Sequence, residues 1–159
     1  MLGGEFDLYR YDEPTHYWEN YKDKLDAEGP YNEDWGKNGA VIEKGRGYLY
    51  ANTAGTEVSF TGTLNYQDVK FPLSYTKVNG EPKDLAGFNF IGNPFTHNIT
   101  AAHLSGNKTA GYYVVGENGT FQVRETTSET IAPMQAILVQ ATEAGNLTIQ
   151  KTAPATQTR

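Results

Sequence analysis

Three histidines, a run of crowded carboxylates and two tryptophans are the residues of this chain whose types could do chemistry. His16, His97 and His103 could ligate a metal, but a zinc site needs three or four converging donors. No acidic residue lies close in sequence to orient His97 or His103, and both read as surface or turn histidines. Cysteine is absent, so thiolate nucleophiles, thiolate metal sites and disulfides are excluded. No Gly-x-Ser-x-Gly elbow occurs either. Nothing places a carboxylate in an apolar pocket, as acid catalysis with a raised pKa requires. The chain is therefore expected not to be an enzyme in its own right.

Asp23, Asp26, Glu28, Glu33 and Asp34 crowd one segment. Calcium takes roughly six to eight oxygen ligands, and loops of exported proteins supply them, so Asp26, Glu28, Glu33 and Asp34 are weak calcium candidates. Their spacing matches no EF-hand loop, and a solvated acidic loop is the plainer reading. No other cofactor is implied. Tyr31 and Trp35 share that segment. An exposed ring beside amides and carboxylates is what sugar stacking needs, a flat apolar face with polar partners at its rim. Tyr31 and Trp35, with Trp18 on a strand, are the candidate ligand contacts. For Trp18 the plainer reading is a half-buried ring packed over the sandwich edge, and for Trp35 the competing reading folds the ring back over the core. Arg46 stands between two glycines, but it precedes a strand rather than opening a helix, so the dinucleotide fingerprint fails on context.

Strands must position these residues. Period-two alternation runs through Glu57-Val-Ser-Phe-Thr61, Val69-Lys-Phe-Pro-Leu-Ser-Tyr75, Phe121-Gln-Val123 and Leu147-Thr-Ile149. Asp12-Glu13-Pro14 reads as a hairpin turn between two aromatic strands. Asn118-Gly119 predicts a second hairpin with a type I′ turn. The apolar runs Tyr48–Ala51 and Ala136–Val139 predict strands covered on both faces. No long stretch keeps a helical period; a turn or two over Tyr21–Glu28 would stop at Gly29-Pro30. The expected fold is all-β, an antiparallel β-sandwich of jelly-roll type built from two similar half-motifs.

Those half-motifs come from a repeat. Leu8–Trp18 aligns without a gap on Tyr112–Gln122, Ile42–Tyr50 on Ile131–Val139, and Val58–Phe60 on Leu147–Ile149. The expected organisation is one module over residues 1–152, duplicated across about 6–61 and 87–151, with a polar tail at 153–159. The first half carries an insertion holding Tyr31 and Trp35. It also lacks a counterpart of Gly87–Phe95, as though the chain begins partway into a domain of a longer protein.

A net charge of −6, with 13 Lys+Arg against 19 Asp+Glu, argues against nucleic acid or an anionic membrane as the main partner. No apolar run reaches the ~18 residues of a membrane span. Met1–Phe6 has neither the basic start nor the apolar stretch of a secretory signal.

Gly87-Phe-Asn-Phe-Ile-Gly-Asn-Pro-Phe95 resembles the Gly-Trp-Asn-Leu-Ile-Gly-Asn-Pro-Tyr signature of large secreted and surface proteins of gut and oral Gram-negative anaerobes. Ile131-Ala-Pro-Met-Gln-Ala-Ile-Leu-Val139 is similar to the Ile-x-Pro-x-Gln segment of the same proteins, and Gly45-Arg-Gly-Tyr-Leu-Tyr50 to their Gly-x-Gly-Tyr-Leu segment. This chain departs in carrying Phe88 and Phe95 where Trp and Tyr are usual, and in lacking a downstream sorting segment. The resemblance covers most of the chain. It implies a β-sandwich module near the C-terminal end of an exported, adhesin-like or peptidase-associated protein, and the shared residues are structural. The expectation is a non-catalytic surface or secreted module for adhesion, glycan contact or spacing. Its partner would be a glycan, a protein or an adjacent domain. The alternative is an accessory or docking domain of an exported hydrolase or peptidase whose active site lies elsewhere in the parent chain.

Overall fold

The computed structural model describes residues 6–21, 42–52, 60–82, 84–116, 118–125 and 128–154. Among these the chain is all-β and antiparallel, with a single 3₁₀ turn at Ala101–His103 and no α-helix. The strands are β1 (Phe6–Asp12), β2 (Tyr17–Asn20), β3 (Leu49–Asn52), β4 (Val69–Leu73), β5 (Lys77–Val78), β6 (Glu81–Pro82) and β7 (Phe88–Gly92). They continue as β8 (Ile99–Thr100), β9 (Leu104–Gly106), β10 (Tyr112–Val115), β11 (Phe121–Arg124), β12 (Thr130–Ile131), β13 (Ala136–Gln140) and β14 (Gly145–Ile149).

Three sheets organise the molecule: β11-β10-β13-β7 in the middle, β4-β14-β9 on one side and β2-β1-β3 on the other. β4 shows why alternation was readable. Val69, Phe71 and Leu73 point inward while Lys70 and Pro72 are exposed, as a strand with one buried face requires. The middle sheet is buried on both faces, so β13 reads as a continuous apolar run. Ile91, Tyr112, Ile137 and Val139 join Phe71, Leu104, Leu147 and Ile149 in the larger core. Phe90 and Leu138 face the opposite way and meet Tyr11, Trp18 and Leu49 in the smaller one. The interior is thus two cores, one on either face of the middle sheet. The other apolar run behaves differently: Tyr48, Leu49 and Tyr50 are half-buried and Ala51 is exposed, because β3 is an edge strand of the smaller sheet.

Two local expectations change. Gly119 takes positive φ (76°) and Asn118 does not; the Gly116 N–H donates to the Thr120 carbonyl and the Gly119 N–H to that of Gly116. That is the three-residue connection with a left-handed glycine, not the type I′ turn. The hairpin is consequently one residue shorter than the first. Tyr11 faces Trp18, whereas Val115 faces Phe121 rather than Gln122, so the gapless correspondence slips by one after the turn. Before the turn the two regions match closely: Tyr9 faces Leu49 as Tyr113 faces Leu138. The aligned residues Gly45 and Met134 both take positive φ, 82° and 61°. In each, a tight turn closes from Arg46 to the Glu43 carbonyl and from Gln135 to that of Ala132.

Candidate functional site

The buried polar side chains Glu13, Asn89 and Asn93 are taken up mainly by the backbone, while His16 keeps a buried ring nitrogen without a partner. Glu13 is buried, and its carboxylate accepts the Thr76 N–H at 2.8 Å, the Thr76 hydroxyl at 2.7 Å and the Gly87 N–H at 2.8 Å. A buried carboxylate with both oxygens engaged in this way pins the first hairpin to the chain before β7. Asn89 accepts from the Ser74 N–H and donates to the Ser74 and Gly87 carbonyls. Asn93 accepts from the Phe95 N–H and donates to the carbonyls of His97 and Ile131. Both asparagines of the Gly87–Phe95 segment thus satisfy loop backbone that would otherwise be buried unpaired. Gly87, at φ 82°, has no room for a Cβ, which would stand 2.4 Å from the Ala141 carbonyl oxygen.

Several ionisable side chains are likewise engaged. Arg46 donates to Glu43 at 2.9 Å and lies 5.4 Å over the Phe71 ring, so its guanidinium is spoken for structurally. Arg10 sits between Glu19 at 2.5 Å and Glu43 at 3.7 Å. The Tyr48 hydroxyl accepts the Glu43 N–H, and burial pushes its pKa upward. His97 stacks on Phe95 and reaches the Lys151 carbonyl; His103 accepts from the Thr100 N–H and caps the 3₁₀ turn. Among the described residues no group of three or more His, Asp or Glu converges as a metal site would need.

Of the candidate ligand contacts, Trp18 is placed between Tyr11 (ring centroids 5.2 Å apart) and Phe90 (5.1 Å, edge-on), half-buried between two sheets. It is a packing residue rather than a free platform. Tyr31, Trp35 and the calcium candidates Asp26, Glu28, Glu33 and Asp34 lie outside the described residues.

The surface feature that stands out is the edge of the middle sheet. Its two borders differ. At β7 the chain 45–47 crosses over: the Gly47 N–H donates to Phe90 at 2.9 Å, the Gly92 N–H to Gly45 at 3.0 Å, and Arg46 bridges Ile91. A Cβ on Gly47 would sit 2.7 Å from the Phe90 ring, which explains the glycine. At the opposite border β11 pairs with β10 alone among the described residues. Because Gly116 and Thr120 are hydrogen-bonded, alternation makes Val114–Gln122 and Tyr112–Arg124 the next bonded pairs. The N–H and C=O groups of Phe121 and Val123 therefore point away from the sheet. Their side chains are also exposed, at 45% and 51%, on the face shared with half-buried Tyr113 and Val115. Phe88 packs 5.5 Å from Tyr113 and extends this apolar floor. Alternation marks Phe121–Val123 as a strand, but it does not say whether a face or an edge is covered, so this border is not visible in the sequence.

No protein-family model, curated protein or solved structure matches the chain.

Proposed function

We propose that the chain is a non-catalytic β-sandwich module of an exported bacterial surface protein, and that it makes its contact by strand docking along β11. The observation that supports this reading is the outward-facing backbone of Phe121 and Val123, which has no partner strand among the described residues and meets only the Arg124 guanidinium at the Val123 carbonyl, carried beside exposed apolar side chains. Main-chain groups supply affinity in strand addition, and alternate side chains supply selection. The residue resemblance supports the surface location, and the structural use of Glu13, Asn89 and Asn93 fits a scaffold role. The matched strand order and register of β2-β1-β3 and β11-β10-β13 support descent from two similar half-motifs.

Between the uses such a module could serve, an apolar open edge favours docking on protein over reading a glycan. It would equally serve an accessory domain seated against a hydrolytic neighbour in its parent chain. Amide chemical-shift mapping tests this with two panels, extended hexapeptides of alternating apolar and polar residues and a set of oligosaccharides. The expected result is a shift of the Phe121 and Val123 amides with peptides, the Phe121 shift being lost in Val123→Pro. Oligosaccharide binding elsewhere, with β11 silent to peptides, would replace docking by glycan contact.

A further inference from the structure

We infer that the strand received by β11 is β11 of a second copy, paired antiparallel about a two-fold axis at Gln122. This rests on the docking reading and names its partner. A two-fold contact requires a patch complementary to itself, and the register can be read residue by residue. With the axis at Gln122, Phe121 faces Val123 of the second copy and Val123 faces its Phe121. These are the residues whose N–H and C=O groups point outward, so about four ladder hydrogen bonds form, the Val123 carbonyl exchanging its Arg124 donor at 3.2 Å for the facing strand's N–H. On one face an aromatic side chain then lies beside a β-branched one, a favourable cross-strand pair. On the other, Gln122 meets Gln122, whose Oε1 already accepts from Arg124 at 3.0 Å while its amide N–H groups remain to donate.

Charge agrees with this register. Arg124 falls opposite Thr120 and Glu125 opposite Gly119, so no like charges confront each other. Arg124 is itself paired with Glu129 at 2.9 Å. Sliding the axis by one residue either way places an apolar side chain against Gly119 or Glu125 and loses the Phe–Val pairing. The net charge of −6 on each chain opposes association at long range, and salt screens it beyond ~8 Å at physiological strength. Association is therefore expected to strengthen as salt is raised. The product is one continuous sheet running through both molecules, with each β11 moved from border to interior.

The chain's lack of cysteine makes the test direct. Facing residues in a non-hydrogen-bonded antiparallel pair have Cα atoms about 4.5 Å apart, within disulfide reach. Gln122→Cys under mild oxidation is expected to yield a covalent dimer. Phe121→Cys, which faces Val123 instead of itself, yields less, and Lys70→Cys on the outer face of β4 stays monomeric. Adding Val123→Pro to Gln122→Cys removes one outward N–H per strand and should lower the dimer yield roughly tenfold or more. Unchanged circular dichroism and Tm show that this variant still folds; Phe121→Lys serves as the second test of the edge. Equal cross-linking at all three positions, or none at Gln122→Cys, overturns the proposal. A chain that stays monomeric yet binds extended peptides at β11 overturns the second copy and leaves the docking function standing.

Discussion

In the first hairpin the residue facing Tyr11 is Trp18, whose ring packs against Phe90; in the second the residue facing Val115 is Phe121, and 45% of its surface meets solvent. The strand order around the two hairpins is the same, β2-β1-β3 and β11-β10-β13, and so is the register of the strands behind them. What differs is what lies over the ring. The first hairpin closes down on the β7–β13 side of the middle sheet and is tied there through Glu13. The second extends that same sheet face past its cover, and the outward amides of its last strand have no partner strand among the described residues. Equivalent local structure thus gives a packed ring in one place and an exposed ring in the other. The difference is set by tertiary placement, not by the hairpin.

The largest effect is expected from breaking the tie that makes the first hairpin a packed one. Glu13→Ala leaves the buried Gly87 N–H and the Thr76 donors without partners and should cost about 3 kcal/mol in chemical denaturation. Next comes the pair of ring deletions that states the comparison most plainly. Trp18→Ala should cost about 2–3 kcal/mol, because a half-buried ring packed between Tyr11 and Phe90 leaves a gap. Phe121→Ala should stay within about 0.5 kcal/mol, as surface changes do. Equal losses would mean that the two rings are equally packed and that the distinction drawn between the hairpins is wrong.

The smallest effect concerns Tyr11, whose pKa is raised above 10.0, first by burial and then by the charges of Glu13 and Asp12. Its folded state holds the proton more tightly than the unfolded chain does. Stability from this group is complete below pH 10.0 and falls as pH rises through the folded pKa. Tyr11→Phe should therefore flatten the alkaline decline of Tm. An unchanged decline would assign it to other groups, among them Tyr48 and Tyr112, which burial also raises.

The all-β fold was legible where one face is buried, as in Val69-Lys-Phe-Pro-Leu73, and where both are, as in Ala136–Val139. Local turn chemistry marked both hairpins. Glu13 was not legible as an anchor, because its partners stand 63 and 74 residues further along the chain. Phe121 was hidden for a different reason. Phe121-Gln-Val-Arg124 alternates like any half-buried strand, and a one-residue shortening of the turn set Trp18 against Gln122 in the alignment instead of against Phe121. The state of a sheet edge depends on what else arrives there. At β4 the sequence does give a hint, since Pro72 offers no N–H and Lys70 is exposed, a common protection of strand borders. β11 carries no such guard along its apolar face.

Amide hydrogen exchange on the dilute chain, repeated at high protein concentration and raised salt, tests the open edge most directly. Fast exchange is expected at Phe121 and Val123 in dilute solution, beside slow exchange at Gln122, Gly47 and Gly92, with the two fast amides becoming protected on concentration. Phe121 and Val123 protected as well as Gln122 in the dilute monomer would contradict the open edge, because the border would then already be closed.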